Sequence, residues 1–151
     1  MKTNQDVLGD YNHFLENIFT MFDELDLMVK IESVDHLCFR VKTKEDYQAK
    51  KEELKEIGSL LIESVVNGRN IATFKLNEPI IFKDKIIPLI ELPAPKFSHS
   101  YENGLEHLEF VTKEPLQKIV DRHPHLMFET FGINKKINAD ITLKLGDYCI
   151  R

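Results

Sequence analysis

The sequence has no tryptophan, only two cysteines, and no apolar run that approaches the length of a membrane-spanning helix. A span needs about 18 consecutive apolar residues, and the N-terminus lacks the apolar segment of a signal peptide. The two cysteines, Cys38 and Cys149, have neither a metal-ligand nor a redox spacing and are too few for a disulfide framework. We therefore predict no membrane partner and a protein of a reducing compartment, the cytoplasm.

An excess of positive charge is also lacking. The chain has 20 Lys and Arg against 25 Asp and Glu, a net charge of −5, with the two signs interspersed. Nucleic acids are usually bound through a basic patch, so no nucleic-acid partner is predicted. The 151 residues, 42% of them hydrophobic, suit one globular domain over 1–151.

The first half of the chain predicts a helix followed by a βαβββ module. An apolar stripe at spacings of three and four makes 5–30 a helical segment, which we expect to pack on the outside of a sheet. In the module, 31–95, a strand leads to a helix capped by Thr43 and ended by Gly58. Asn67-Gly68 then predicts a type I′ hairpin turn.

The second half, 104–151, follows the same order. A strand, a short helix before Pro124, and a hairpin of "LMFETFGI" with "ADITLKL" lead to a last strand that looks truncated. His123 and His125, beside Pro124, are predicted to be exposed. The predicted fold class is thus α+β, with two tandem βαβββ modules forming an open, barrel-like mixed sheet and the second module incomplete at its last strand.

Two phrases support the repeat: "VDHLCFRV" (34–41) and "LEHLEFVT" (105–112). Each places an acid before a histidine and a phenylalanine three residues after it. Further matches join Thr43-Lys44-Glu45 to Thr112-Lys113-Glu114, and Thr73-x-Lys75-Leu76 to Thr142-x-Lys144-Leu145. Equivalent strands of two such modules can meet about a pseudo-twofold axis, which would bring His36 and His107 together.

Strand alternation places both histidines opposite the apolar side chains. That face could simply be solvent, but the duplication favours a shared concave surface. Glu91, an acid within the apolar run "IIPLIELP", would complete a set of two imidazoles and one carboxylate that accepts Zn, Ni, Mn or Fe. The alternative is that Glu91 is an acidic residue of an edge strand, at the rim of the sheet, without a metal-binding role. Glu109 could be a ligand, a general base, a partner of a ligand, or an exposed acid.

The ordered phrases also carry a family likeness. "DHLCFRV", "NGRNIATFKL", "IELPAPK", "GLEHLEFV" and "ITLKLGDYCIR" resemble the YecM family, within the vicinal oxygen chelate superfamily of glyoxalases, bleomycin-resistance proteins and dioxygenases. The resemblance implies a sheet around a divalent metal held by His36, Glu91 and His107. It further implies a fourth metal ligand on the final strand, beyond Arg151. It is also compatible with a homodimer.

The function this implies is metal-assisted chemistry, of an isomerase, lyase or dioxygenase type, on a small oxygenated molecule. Glu109 would move a proton, and Arg40, Arg69 and Lys75 would bind an anionic substrate if they line the concave face; otherwise they are surface charges. The alternative is a non-catalytic module of the same fold that binds a small molecule or a metal.

Overall fold

A single mixed sheet of seven strands with four helices forms the fold. The computed structural model describes residues 1–146 and 148–151. The helices are α1 (Asn4–Leu8), α2 (Tyr11–Glu24), α3 (Lys44–Ile57) and α4 (Leu116–Arg122). The strands are β1 (Ser33–Arg40), β2 (Gly58–Val66), β3 (Arg69–Phe82), β4 (Lys85–Pro93), β5 (Gly104–Val111), β6 (Leu143–Leu145) and β7 (Tyr148–Ile150). No helix of the described residues is long and apolar enough to cross a membrane.

The two halves of the sheet are related by a pseudo-twofold axis. The strand order is β2-β3-β4-β1-β5-β7-β6. The leading strands β1 and β5 pair antiparallel at the centre, and each pairs in parallel with the last strand of its own half, β4 and β7. The predicted fold class is confirmed: an α+β protein with an open, mixed sheet built from two similar halves.

The N-terminal segment forms two helices instead of the single predicted one. Gly9 lies between them with φ 79°, and Asp10 begins α2 by accepting a hydrogen bond from the backbone N–H of His13. The same apolar stripe is still buried, with Leu15 and Ile18 at 0% exposure. A side-chain cap and a glycine therefore broke a helix that the hydrophobic pattern alone made continuous.

Aromatic side chains attach α2 to the sheet. Phe14 makes an edge contact with Tyr148, and Phe19 stacks on Phe82 with ring centroids 5.4 Å apart. Phe19 also meets the edge of Phe110. Each such pair contributes about 0.5–1.5 kcal/mol beyond its buried area. The apolar core therefore lies between the sheet and helices α1, α2 and α3.

The predicted hairpin in the second half is mostly absent. Between α4 and β6, one isolated bridge joins Glu129 to Thr142 among the described residues. The chain between them turns back on itself, because the carbonyl of Gly132 accepts hydrogen bonds from the N–H groups of Lys135 and Asp140. These local bonds use the backbone groups that a second long hairpin would have paired.

His123 is buried, at 1% exposure, so the prediction that it is exposed was wrong. Its Nε2 accepts from the backbone N–H of Met28 at 2.9 Å, and its Nδ1 lies 2.7 Å from the carbonyl oxygen of Ile119. This histidine connects the end of α4 to the segment before β1. With both ring nitrogens engaged, it is a structural residue and not a metal ligand.

Candidate metal centre

Two β-bulges shape the centre of the sheet. In the β1–β5 ladder, Val34 pairs with Phe110 and His36 with Glu109, so Asp35 is an extra residue on β1. Cys38 pairs with His107 and Phe39 with Leu105, so Glu106 is an extra residue on β5. A bulge turns a side chain away from strict alternation. Each acid is thereby brought to the same side of the sheet as the histidine that follows it.

Each bulged acid contacts the Nδ1 atom of its histidine. Asp35 Oδ2 lies 2.8 Å from His36 Nδ1, and Glu106 Oε2 lies 3.3 Å from His107 Nδ1. A carboxylate at Nδ1 accepts a hydrogen bond from the N–H of that nitrogen, which favours the tautomer with a free lone pair on Nε2. Carboxylate–histidine pairs of this kind are typical of metal-bound histidines. The repeated acid–histidine phrase of the sequence thus corresponds to a repeated local geometry.

The two Nε2 atoms are buried and have no hydrogen-bond partner among the described residues. The imidazole rings face each other with centroids 5.6 Å apart. Glu91 on β4 brings Oε2 to 3.5 Å from His36 Nε2, and one donor atom from each of His36, Glu91 and His107 lies within 4.8 Å of the others. The structure therefore brings the three predicted metal ligands together within one chain.

Glu109 lies on the other side of the same histidine. Its Oε2 is 3.6 Å from His36 Nε2. Burial raises the pKa of Glu109, although the charges of His36 and Arg151 oppose that shift. A carboxyl group with a raised pKa can hold or release a proton near neutral pH more readily than an exposed one.

A cavity of about 940 Å³ opens above these groups. His36, Glu91 and Glu109 line it, together with the end of the β2–β3 hairpin and part of the segment 135–141. His107 is not among the lining residues and is 3% exposed. The volume is in the range of small-molecule sites, so His36 and these two carboxylates are among the groups that a bound molecule would meet.

The local charges favour a cationic partner at this point. Burial lowers the pKa of His36, but the hydrogen bond to Asp35 and the charges of Glu91 and Glu109 outweigh it and leave the pKa raised. The hydrogen bond from His107 is the main cause that lowers the pKa of Glu106 to about 2. Three carboxylates around His36 thus create a negative field. Because burial raises the pKa of the neighbouring Cys38 thiol, that residue stays neutral.

The three predicted substrate-binding residues do not line this cavity. Arg40 lies over the ring of Tyr101 and 4.0 Å from Glu106 Oε1, Arg69 donates to the carbonyl of Ala94, and Lys75 is exposed on β3. Arg40 nevertheless supports the centre indirectly, because its charge helps to lower the pKa of Glu106. The structure does not bring Arg69 or Lys75 to the metal ligands.

The pseudo-twofold axis assigns a counterpart to Glu91. Cys38 on β1 pairs with Glu91 on β4. On β5, Leu108 pairs with Ile150, and Arg151 exchanges hydrogen bonds with Leu108 and Phe110, the neighbours of Glu109. Arg151 thus lies opposite Glu109, as Glu91 lies opposite Cys38. The counterpart of Glu91 in the second half is therefore Arg151.

Paired modules around a central histidine pair define the class: the fold is that of the vicinal oxygen chelate, or glyoxalase-like, proteins. Methylmalonyl-CoA epimerase from Mycobacterium tuberculosis shares it, with a TM-score of 0.57 and 13% identity over 82% of this chain and 87% of that one. Within this class the chain belongs to the YecM family, because the family model described as YecM protein matches residues 3–147.

Relatives of known sequence or structure agree with this placement. The chain is 29% identical to protein YecM of Escherichia coli K12 over 71% of its own length and 57% of that protein's. It is also 29% identical to an uncharacterized Haemophilus influenzae protein, over 76% and 62% of the two lengths. The solved structure of the structural-genomics protein EC4020 matches 99% of this chain and 90% of that chain with a TM-score of 0.74 and 25% identity.

The aligned part of the chain spans about 60% of the length of these two curated relatives.

The sequence alone assigns no role to three residues of the candidate metal centre: Asp35, Glu106 and Arg151. The first two were visible as the acid of the repeated phrase, but their contact with Nδ1 depends on the bulges. The position of Arg151 depends on the pairing of β7 with β5.

Proposed function

We propose that this chain binds one divalent metal ion through His36, Glu91 and His107 and uses it on a small molecule with adjacent oxygens. The observation that carries the proposal is the pair of buried Nε2 atoms of His36 and His107. Neither has a hydrogen-bond partner among the described residues, and both histidines lie beside the Glu91 carboxylate. A buried polar atom left unpaired costs about 1–3 kcal/mol. A cation between them would satisfy both nitrogens at once.

The donor geometry fits a first-row divalent ion. Metal–donor bonds of about 2.1 Å at a tetrahedral angle place the donors about 3.4 Å apart. His36 Nε2 and Glu91 Oε2 are 3.5 Å apart, and the whole set lies within 4.8 Å. Two imidazoles and one carboxylate accept Zn, Ni, Mn or Fe and leave positions open for a ligand.

The remaining residues define what the site can do. A bound metal would act as a Lewis acid that polarises a carbonyl oxygen. Asp35 and Glu106 keep the imidazoles in the orientation that presents Nε2. Glu109, which lines the cavity beside His36, is the group placed to take or return a proton. A non-catalytic module that only binds a small molecule or a metal would need His36, Glu91 and His107 but not Glu109.

Metal binding by the wild-type protein tests the proposal. Protein purified without an affinity tag should take up one Zn²⁺, Ni²⁺, Mn²⁺ or Fe²⁺ ion per chain. At a free metal concentration a hundred times the Kd, binding stabilises the folded state by about 2.7 kcal/mol, which raises Tm by about 5–10 °C for a chain of this size. Elemental analysis and thermal unfolding, with and without a chelator, measure both. No stoichiometric uptake of any of the four ions would contradict the proposal.

The bulged acids should tune the affinity. Asp35→Asn and Glu106→Gln keep the size of each side chain but remove the charge that faces Nδ1. We expect each to weaken metal binding about 10- to 100-fold, the usual effect of losing such a partner. A matched control is Glu102→Gln, because the Glu102 carboxylate is exposed and pairs with the exposed Lys42. Competition with a fluorescent chelator gives the dissociation constants, and equal values for all three variants would show that the acids do not orient the imidazoles.

A further inference from the structure

The counterpart of Glu91 in the second half has the opposite charge. We infer that Arg151 is the specificity-determining residue of the cavity and binds the carboxylate of an anionic ligand whose oxygens reach the metal centre. This inference rests on the proposed metal site. It assigns a ligand class, small 2-oxo or 2-hydroxy carboxylates, to a position at which a fourth metal ligand would otherwise lie.

The first support is the position of Arg151 in the sheet. Arg151 directly follows β7 and lies opposite Glu109 of β5. Glu109 in turn pairs with His36 of β1. His36, Glu91, Glu109 and Arg151 all line the same cavity. An arginine and two carboxylates therefore surround one opening, with the positive group on the second half of the chain and Glu91 on the first.

The second support is the state of the guanidinium group. Its Nε donates to Oγ1 of Thr142, a buried residue, at 3.3 Å. Among the described residues, this bond to Thr142 is the hydrogen bond found for the Arg151 side chain, and none of the ion pairs includes Arg151. Lys135, the other cation of the cavity, is instead paired with Asp140 at 2.7 Å. The side chain of Arg151 is thus held at Nε, and among the described residues no carboxylate pairs with its two terminal amino groups.

Charge complementarity selects the ligand. Guanidinium groups bind carboxylates through two parallel hydrogen bonds. A ligand that presents a carboxylate next to a carbonyl or hydroxyl oxygen can meet both Arg151 and the metal centre. Glu91 and Glu109 would repel such an anion if it entered without a cation, so Arg151 supplies the attraction that the acidic surroundings lack.

The test compares an anionic probe with a neutral one on Zn²⁺-loaded protein. Pyruvate and pyruvamide have the same adjacent oxygens but differ by one negative charge. Calorimetry should show that Arg151→Gln weakens pyruvate binding about tenfold or more, the effect of one lost charge-assisted bond pair, while pyruvamide binding changes less than twofold. Lys144→Gln is the matched control, because Lys144 lies on the adjacent strand, is 74% exposed and does not line the cavity.

Arg151→Glu tests the symmetry itself. It places a carboxylate at the counterpart of Glu91, so we expect Zn²⁺ affinity to rise at least tenfold and pyruvate affinity to fall. If wild-type protein fails to bind Zn²⁺ or any of the other three ions, the proposed function is overturned. If Zn²⁺ binds with unchanged affinity and Arg151→Gln still binds pyruvate within twofold of wild type, the assignment of Arg151 alone is overturned.

Discussion

Replacing His36 or His107 by alanine should weaken metal binding by at least about a hundredfold. Loss of a group that merely orients a ligand costs 10- to 100-fold, and loss of the ligand itself must cost more. Both imidazoles are buried, and their Nε2 atoms have no other partner among the described residues. Isothermal titration, or competition against a chelator of known affinity, measures the loss. Glu91→Gln, which keeps one oxygen donor but removes the charge, should fall between wild type and the alanine variants.

The metal-free variants separate a metal site from a structural histidine pair. In the absence of metal, alanine removes a nitrogen that was buried without a partner, so part of the lost packing is offset. We expect the Tm of the apo variants to stay near that of the apo wild type, while the Tm increase on adding metal disappears. The control is His13→Ala, which removes an exposed histidine on α2 and should leave both values unchanged. A large fall in apo Tm with a preserved metal-dependent increase would contradict the assignment.

Strand alternation was enough to predict the face of the sheet on which the two histidines lie. His36 and His107 lie on the face opposite Leu37 and Leu108 because side chains alternate with a period of two. Glu91 could be singled out as an acid within an apolar run. These placements agree with the structure because they depend on residues within one strand, whose geometry is local. The duplication then made it reasonable to place the two strands side by side, as they are in the β1–β5 pair.

What could not be predicted depends on register between strands. By alternation alone, Asp35 and Glu106 should lie on the face away from the histidines, and only the extra residue in each ladder reverses this. The counterpart of Glu91 likewise depends on how β7 pairs with β5. Arg69 is a plausible cavity residue in the sequence, yet its guanidinium donates to the carbonyl of Ala94, just after β4, and it does not line the cavity.

The same distinction between local and non-local causes applies to Gly58. Its place after α3 predicts that the helix ends there, because glycine adopts backbone angles that other residues avoid. In the structure its φ is −164°, an extended value that any residue adopts, and β2 begins directly at this glycine. The reason for a glycine is proximity: an added Cβ would lie 2.5 Å from the carbonyl oxygen of Lys75 and 3.3 Å from the Cα of Leu76.

Gly58→Ala should therefore destabilise the protein by about 3 kcal/mol, at the upper end of the usual cost of overpacking. The clash is with the backbone of β3, which cannot move aside as a flexible side chain would. Because β3 also pairs with β4, opening the start of β2 should disturb the ladder that positions Glu91. For a chain of this size the loss corresponds to a fall in Tm of about 6–12 °C, measurable by thermal or urea unfolding.

Gly68→Ala is the matched control for this change. Gly68 has φ 80°, but nothing lies within 4 Å of its added Cβ. Alanine there costs only the left-handed backbone strain, about 1 kcal/mol. If close approach is the reason for Gly58, its substitution must cost more than that of Gly68, although Gly68 is the glycine with the unusual backbone angle. The reverse order would show that the β2–β3 ladder adjusts easily, and that Gly58 is needed only to end α3.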